Sequence, residues 1–177
     1  MQTLPDLLDK KVTLLSIGLN PSLPSVQAGF YFANPRNRFW KAINNSGLHQ
    51  QALTPSLKSC FLMLEHDHIG FTDLVKRPTA GGKDLKANDY RLGSTRLQQL
   101  IKDIQPDLLW FHGKMTCQKY LQYSSQKHLQ TRWGFQTWRL LNSSVYISPN
   151  PSPANAAFSL DTISDSYRDL FLHQGLL

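Results

Sequence analysis

Thiols are scarce in this 177-residue chain, where Cys60 and Cys117 are the only cysteines. Two thiolates cannot complete a four-cysteine zinc or iron–sulfur site. They read as ordinary buried thiols of a reducing compartment. Long apolar runs are missing as well: no stretch reaches the roughly 18–20 residues that a membrane helix needs. The segment Met1–Lys10 lacks the basic region and apolar core of a secretory signal, so a cytoplasmic protein is expected. There is no internal repeat, low-complexity tract or long linker. Charged residues make up only 18% and hydrophobic ones 41%, a balance that excludes a disordered chain. Acidic side chains are the minority charge, 12 against 19 Lys and Arg, for a net charge of +7. A basic excess favours polyanionic partners, although alone it is weak evidence for nucleic acid. The length suits one domain over residues 1–177, large enough to bury about two thirds of its unfolded surface.

Periodicity supplies the elements. Val12–Gly18 is a short β-rich run that ends in glycine, the pattern of a buried strand. A proline-containing loop is expected from Asn20 to about Arg36. Asn37 can cap a helix through Gly47, with Phe39, Trp40 and Ile43 on its apolar face. Thr54-Pro55 opens a further helix, with proline at its first position, and Gly70–Val75 is a short strand. Asn88–Ile104 spaces Leu92, Leu97, Leu100, Ile101 and Ile104 as an amphipathic helix despite Gly93. Leu108–Phe111 is a second buried strand, closed by Gly113 and followed by a helix from Lys114 to about Tyr123. Trp138–Ser148 is a strand or hairpin, Pro149–Ala157 a loop and Leu160–His173 a last helix. Strands alternating with helices predict a three-layer α/β/α sandwich around a central, mostly parallel sheet. Ligands bind such sheets at the carboxyl ends of the strands. The loops after Ile17 and Ile147 both leave such ends and can meet over one site.

Those loops have unusual sequences. The first runs Gly18-Leu19-Asn20-Pro21-Ser22 and on through Gly29-Phe30-Tyr31-Phe32-Ala33-Asn34-Pro35-Arg36-Asn37-Arg38-Phe39-Trp40. The second is Asn150-Pro151-Ser152-Pro153-Ala154-Asn155-Ala156. Here the chain resembles the mismatch-specific uracil/thymine DNA glycosylases of the uracil-DNA glycosylase superfamily. Their first motif, Gly-Ile-Asn-Pro-Gly, is followed in the bacterial branch by Gly-Phe-Pro-Phe-Ala-His-Pro-x-Asn-Arg-Phe-Trp. Gly18–Trp40 follows that pattern without a gap. Thr72–Thr79 resembles a third family segment, and Asn150-Pro151-Ser152 falls where the family places its second motif. The likeness extends from about Val12 to Leu170.

The resemblance implies a monofunctional glycosylase that flips a base from duplex DNA and hydrolyses its bond to the sugar, leaving an abasic site. Uracil opposite guanine is the lead substrate, with thymine, ethenocytosine and hypoxanthine as alternatives. Breaking an N-glycosidic bond needs no side-chain nucleophile if a water is held beneath the anomeric carbon. Asn20 can accept a hydrogen bond from that water while Pro21 stiffens its backbone. An amide cannot deprotonate water as a carboxylate can, so a slow enzyme is expected. Taken alone, Asn20 reads first as a turn residue before proline; the motif around it favours the catalytic role. The resemblance makes Phe32 the ring that stacks on the flipped base, with Phe30 packed beneath it. Backbone N–H groups near Leu19 and Phe32 would stabilise the leaving anion. Asn150 would hold its loop or the sugar–base region, and Ser152 a phosphate. Gly18, Pro21, Asn37 and Lys76 are supporting positions.

Departures narrow the reading. The bacterial branch continues Gly-Leu-Ser-Arg after Asn-Pro-Ser, whereas here Pro153, Ala154, Asn155 and Ala156 follow. Ala154 takes the place of the wedge leucine and fills little of the gap a flipped base leaves, and Asn155 can read the widowed base. The stretch also resembles the Ser-Pro-Ala-Asn-Ala-Ala loop of the hypoxanthine-DNA glycosylases, which puts guanine-mismatch selectivity in doubt. The uracil-specific branch has aspartate and histidine where Asn20 and Asn150 stand. No motif lysine offers a Schiff base, so no lyase step is expected. No cofactor or metal is called for. The partner would be double-stranded DNA with a damaged or mismatched base, met by a monomer that needs no membrane and works on the nucleoid. Glu65-His66-Asp67-His68 has a metal-like look but lacks the helical His-Glu-x-x-His spacing. Lys76, Arg77, Lys83 and Lys86 around Gly81-Gly82 form a phosphate-contacting loop or a merely solvated one. Trp133 and Trp138 read as core or hairpin aromatics. The rival in another class is a non-catalytic damaged-DNA-binding module of the same fold. An α/β hydrolase would need a Gly-x-Ser-x-Gly elbow, which is absent.

Overall fold

The computed structural model describes residues 3–177. Five strands form one sheet: β1 (Leu14–Gly18), β2 (Ile69–Asp73), β3 (Leu108–His112), β4 (Gly134–Phe135) and β5 (Ser144–Ser148). Their order is β2-β1-β3-β5-β4. All pairings are parallel except β4 with β5. Six helices accompany the sheet: α1 (Leu23–Ala28), α2 (Phe39–Ser46), α3 (Leu57–Asp67), α4 (Ala87–Ile104), α5 (Lys114–Tyr123) and α6 (Leu160–His173).

Alternation along β1 decides what each face of the sheet holds. Leu14 packs with Phe39, Ile43, Met63, Tyr167 and Phe171, from α2, α3 and α6. Leu15 and Ile17 pack with Leu97, Ile101, Cys117 and Leu121, from α4 and α5. The expected three layers therefore form, with all five β1 residues buried. Cys60 and Cys117 are free and fully buried, one in each layer. Burial pushes the Cys60 thiol up to about 12 and Cys117 further in the same direction, so both stay protonated and unreactive.

The chain passes from β1 to β2 on one side and returns to β3 on the other. That reversal opens a crevice above the carboxyl ends of β1 and β3. Gly18, Asp73, His112 and Ser148 close the four parallel strands at this end.

Several boundaries differ from the periodicity. The loop after Asn20 contains α1, capped by the Ser22 hydroxyl on Ser25 N–H at 3.2 Å. Proline in its first turn hides it from an apolar pattern while being well suited to that place. α3 begins after Ser56, whose Oγ accepts Ser59 N–H at 3.1 Å; Thr54-Pro55 therefore precedes the cap. α2 starts at Phe39 with Arg38 at the cap position, yet the Asn37 carboxamide still accepts Phe39 N–H at 2.9 Å. β2 spans Ile69–Asp73, not Gly70–Val75. Of Trp138–Ser148 only Ser144–Ser148 is strand, because Leu140 and Ser143 pair across a tight turn. β4 has two residues, too few for a sequence period. Gly93 sits inside α4 because a Cβ there would run into the Leu74 carbonyl.

Candidate active site

The loops leaving the four strand ends surround a cavity of about 480 Å³. Its wall holds Gly18, Leu19, Asn20, Pro21, Phe32, Asn37, Asn150, Ser152, Ala154 and Asn155, so both sequence motifs converge on it. Asp73, Thr79, His112, Lys114, Met115 and Trp133 also border it, and sequence reasoning gave none of these six a role in the site.

Asn20 is held by its amide nitrogen. Nδ2 donates to Thr79 Oγ1 at 2.8 Å, Arg77 O at 3.1 Å and Pro21 O at 3.3 Å. Two of these acceptors are carbonyls and cannot donate, which fixes the amide orientation. Oδ1 consequently points the other way, and no protein donor reaches it among the described residues. It is an acceptor ready for a water or a substrate hydroxyl. Thr79 is itself oriented by donating to Gly81 O at 2.9 Å. The only sequence signal for Thr79 was its place at the end of the third segment.

Phe32 adopts a left-handed backbone, φ +58°, which costs a non-glycine residue on the order of 1–3 kcal/mol. Stacking holds it there. Its ring lies on Phe39 with centroids 3.9 Å apart and planes at 13°, and meets His112 edge-on at 5.1 Å. The ring surface that remains borders the cavity. Phe30 is half-buried and packs against the core without reaching the wall.

Asp73 and His112 flank Gly18 at the strand ends. Asp73 lies against Gly18 so closely that a Cβ on that glycine would run into Oδ1. The carboxyl is buried, and Oδ2 has no hydrogen-bond partner among the described residues. Two cations lie near, yet Asp6 takes both: Lys76 Nζ and Arg96 Nη1 each sit 2.8 Å from its carboxylate. Burial therefore prevails over their attraction and pushes Asp73 up to about 7. Burial also drives His112 down to about 3. Its Nε2 lies 2.8 Å from Ser16 Oγ and its Nδ1 3.4 Å from Tyr167 OH. At neutral pH this imidazole is uncharged and cannot serve as a cationic acid.

The second motif is pinned through its backbone. The Arg38 guanidinium donates to the carbonyls of Pro151, Ser152, Asn155 and Phe158. Asn150 Oδ1 accepts Ser152 N–H at 2.9 Å, and its carbonyl accepts Asn155 Nδ2 at 2.9 Å. Asn150 thus holds its own loop. Asn155 uses only Nδ2 in that bond and borders the cavity, and Ser152 Oγ accepts Ala154 N–H at 3.3 Å. Pro153 and Ala154 remain exposed at the rim.

A uracil DNA glycosylase superfamily model matches residues 5–171. The chain belongs to that superfamily. Membership makes it a DNA N-glycosylase, a hydrolase of DNA repair with DNA as its partner. A Methanosarcina acetivorans protein, solved by NMR in solution and provisionally named a uracil DNA glycosylase, shares the fold at TM-score 0.63 and 20% identity over 98% of both chains. Within this uracil DNA glycosylase relative, several sequence expectations move. Lys76 is tied to Asp6, and Arg77 to Asp89 at 2.7 Å. Neither borders the cavity, which leaves Lys83 and Lys86 as the exposed cations of the Gly81-Gly82 loop. Asp67 of the metal-like run is engaged by His49 Nε2 at 2.8 Å. Trp133 is not a core aromatic: it is 42% exposed at the cavity mouth.

Proposed function

We propose that this glycosylase hydrolyses the N-glycosidic bond of a base extruded from duplex DNA and leaves an abasic site without cutting the strand. Uracil opposite guanine is its lead substrate, with thymine, hypoxanthine and ethenocytosine as competitors for the same cavity. The observation that carries this reading is the Asn20 amide, tied by Nδ2 to Thr79 and Arg77 with Oδ1 left for a water. From that position Oδ1 orients the attacking oxygen while the sugar takes on oxocarbenium character, and positioning rather than proton abstraction supplies the rate.

Phe32 offers its ring to the base, a contact worth roughly 1–3 kcal/mol in nucleic-acid binding. Asp73 faces the edge of the base. In its neutral form the carboxyl both donates and accepts, matching the adjacent C=O and N–H of uracil, thymine and hypoxanthine. Ethenocytosine lacks that N–H and should be the weakest of the four. Neutral His112 adds no positive charge, so the leaving base depends on hydrogen-bond donors and dipoles for stabilisation. The protein acts as a monomer, with the loop of Pro153 and Ala154 against the duplex.

The test is a single-turnover assay on labelled duplexes that hold each of the four bases opposite each normal base, with alkali to reveal abasic sites. Excision that disappears in Asn20→Ala establishes the glycosylase and names its base. Binding without excision of any base would replace this reading with a non-catalytic damage-binding module.

A further inference from the structure

Two observations at the cavity mouth have no part in the chemistry above. Among the large apolar side chains left exposed, Met115 and Trp133 border the cavity, and Trp133 is the one whose flat face can stack. Its indole is held in place. Phe158, from the loop that Arg38 pins, meets it edge-on with centroids 5.0 Å apart. Lys114 Nζ sits 4.6 Å from the ring centroid. Trp133 and Lys114 therefore present a π surface and a positive charge together at the rim of a site for a polyanion. Such a pairing suits stacked bases strung on phosphates. On the same rim Ala154 is exposed but has only a methyl group, too small to replace an extruded base in the stack.

On the basis of the proposed function, we infer that Trp133 is an aromatic contact to the duplex, its indole stacking on a base next to the extruded nucleotide while Lys114 turns to the neighbouring phosphate. The two rings then work at different depths. Phe32, on Phe39 inside the cavity, takes the flipped base, and Trp133 supports the stack that the base has left. Duplex distortion is thereby assigned to the segment before β4, not to the second motif with its small Ala154.

The experiment measures binding of an uncleavable abasic-site analogue, tetrahydrofuran, in a labelled duplex and in the same strand alone. Wild type, Trp133→Ala and Trp133→Phe are compared at one fixed salt concentration. Trp133→Ala should weaken duplex binding about tenfold or more, single-strand binding should fall by less, and Trp133→Phe should recover most of the loss. Trp133→Ala binding the duplex as tightly as wild type would overturn the inference. So would equal losses on duplex and single strand, which would place the ring on the extruded nucleotide instead. If wild type neither excises a base nor prefers the abasic duplex to an intact one, the glycosylase reading itself fails and takes this inference with it. Normal excision with an indifferent Trp133→Ala sinks the inference alone.

Discussion

The two motif loops meet at one cavity but are built in opposite ways. Around Asn20, side chains bond side chains and neighbouring carbonyls: the amide is caught by Thr79, and Phe32 is stacked on Phe39. The second loop is held through its backbone, with four of its carbonyls gathered by Arg38, while Pro153 and Ala154 stay exposed. Where chemistry needs an atom placed within a fraction of an ångström, the side chains themselves are fixed. In the second loop, whose tip is exposed, only the path is fixed. That difference explains how the second motif keeps its shape with only a methyl group at Ala154.

Replacing Asn20 should have the largest effect. On the proposed mechanism Asn20→Ala leaves the attacking water unoriented and should lower single-turnover excision on the order of a hundredfold or more. A loss below about threefold would mean that water is positioned elsewhere. The other loop should answer differently to Arg38→Ala, which leaves carbonyls unpaired. A stability loss of about 1–3 kcal/mol is expected, visible in urea unfolding, together with weaker duplex binding. Arg38→Lys cannot restore four acceptors, because a lysine lacks the planar fork.

Asp73 sharpens the contrast, being a buried group on the rigid side. Its folded pKa of about 7 lies above its ordinary value of 3.8, so folding favours the protonated form. Stability should therefore be greatest below about pH 4 as far as this group is concerned, decline as pH rises through about 7, and level off above that. Asp73→Asn should flatten thermal stability between about pH 4 and pH 7 and leave the variant ahead of wild type at the alkaline end. Excision of uracil should fall above about pH 7 in wild type but not in the variant. Parallel pH profiles for the two proteins would remove Asp73 from the reading.

The smallest change is expected at the rim. Ala154→Leu adds bulk at an exposed position and should alter stability within about 0.5 kcal/mol. Its effect should appear as tighter binding of a duplex carrying an abasic analogue. A large stability loss would show that the second loop is packed as tightly as the first.

Much of this architecture was legible in the chain. β1, α4, β3, α5 and α6 follow from periods long or apolar enough to be unambiguous, and Gly18–Trp40 carries the superfamily resemblance in its residue types and spacing. α1 was hidden by its proline and polar composition, and the two-residue β4 is shorter than any period. Asp73, Thr79, His112 and Trp133 acquire meaning only by position. Nothing local distinguishes a strand-end Asp73 with no ion partner from one paired to Lys76. The difference arises because Asp6, 67 residues earlier in the chain, binds both nearby cations. Sequence by itself determined the alternating layers and the two motifs, because both depend on residue type at short spacing. Tertiary structure decided which atom of Asn20 faces the cavity, which acid lost its partners and which tryptophan stayed at the surface, because each depends on groups that only the folded sheet brings together.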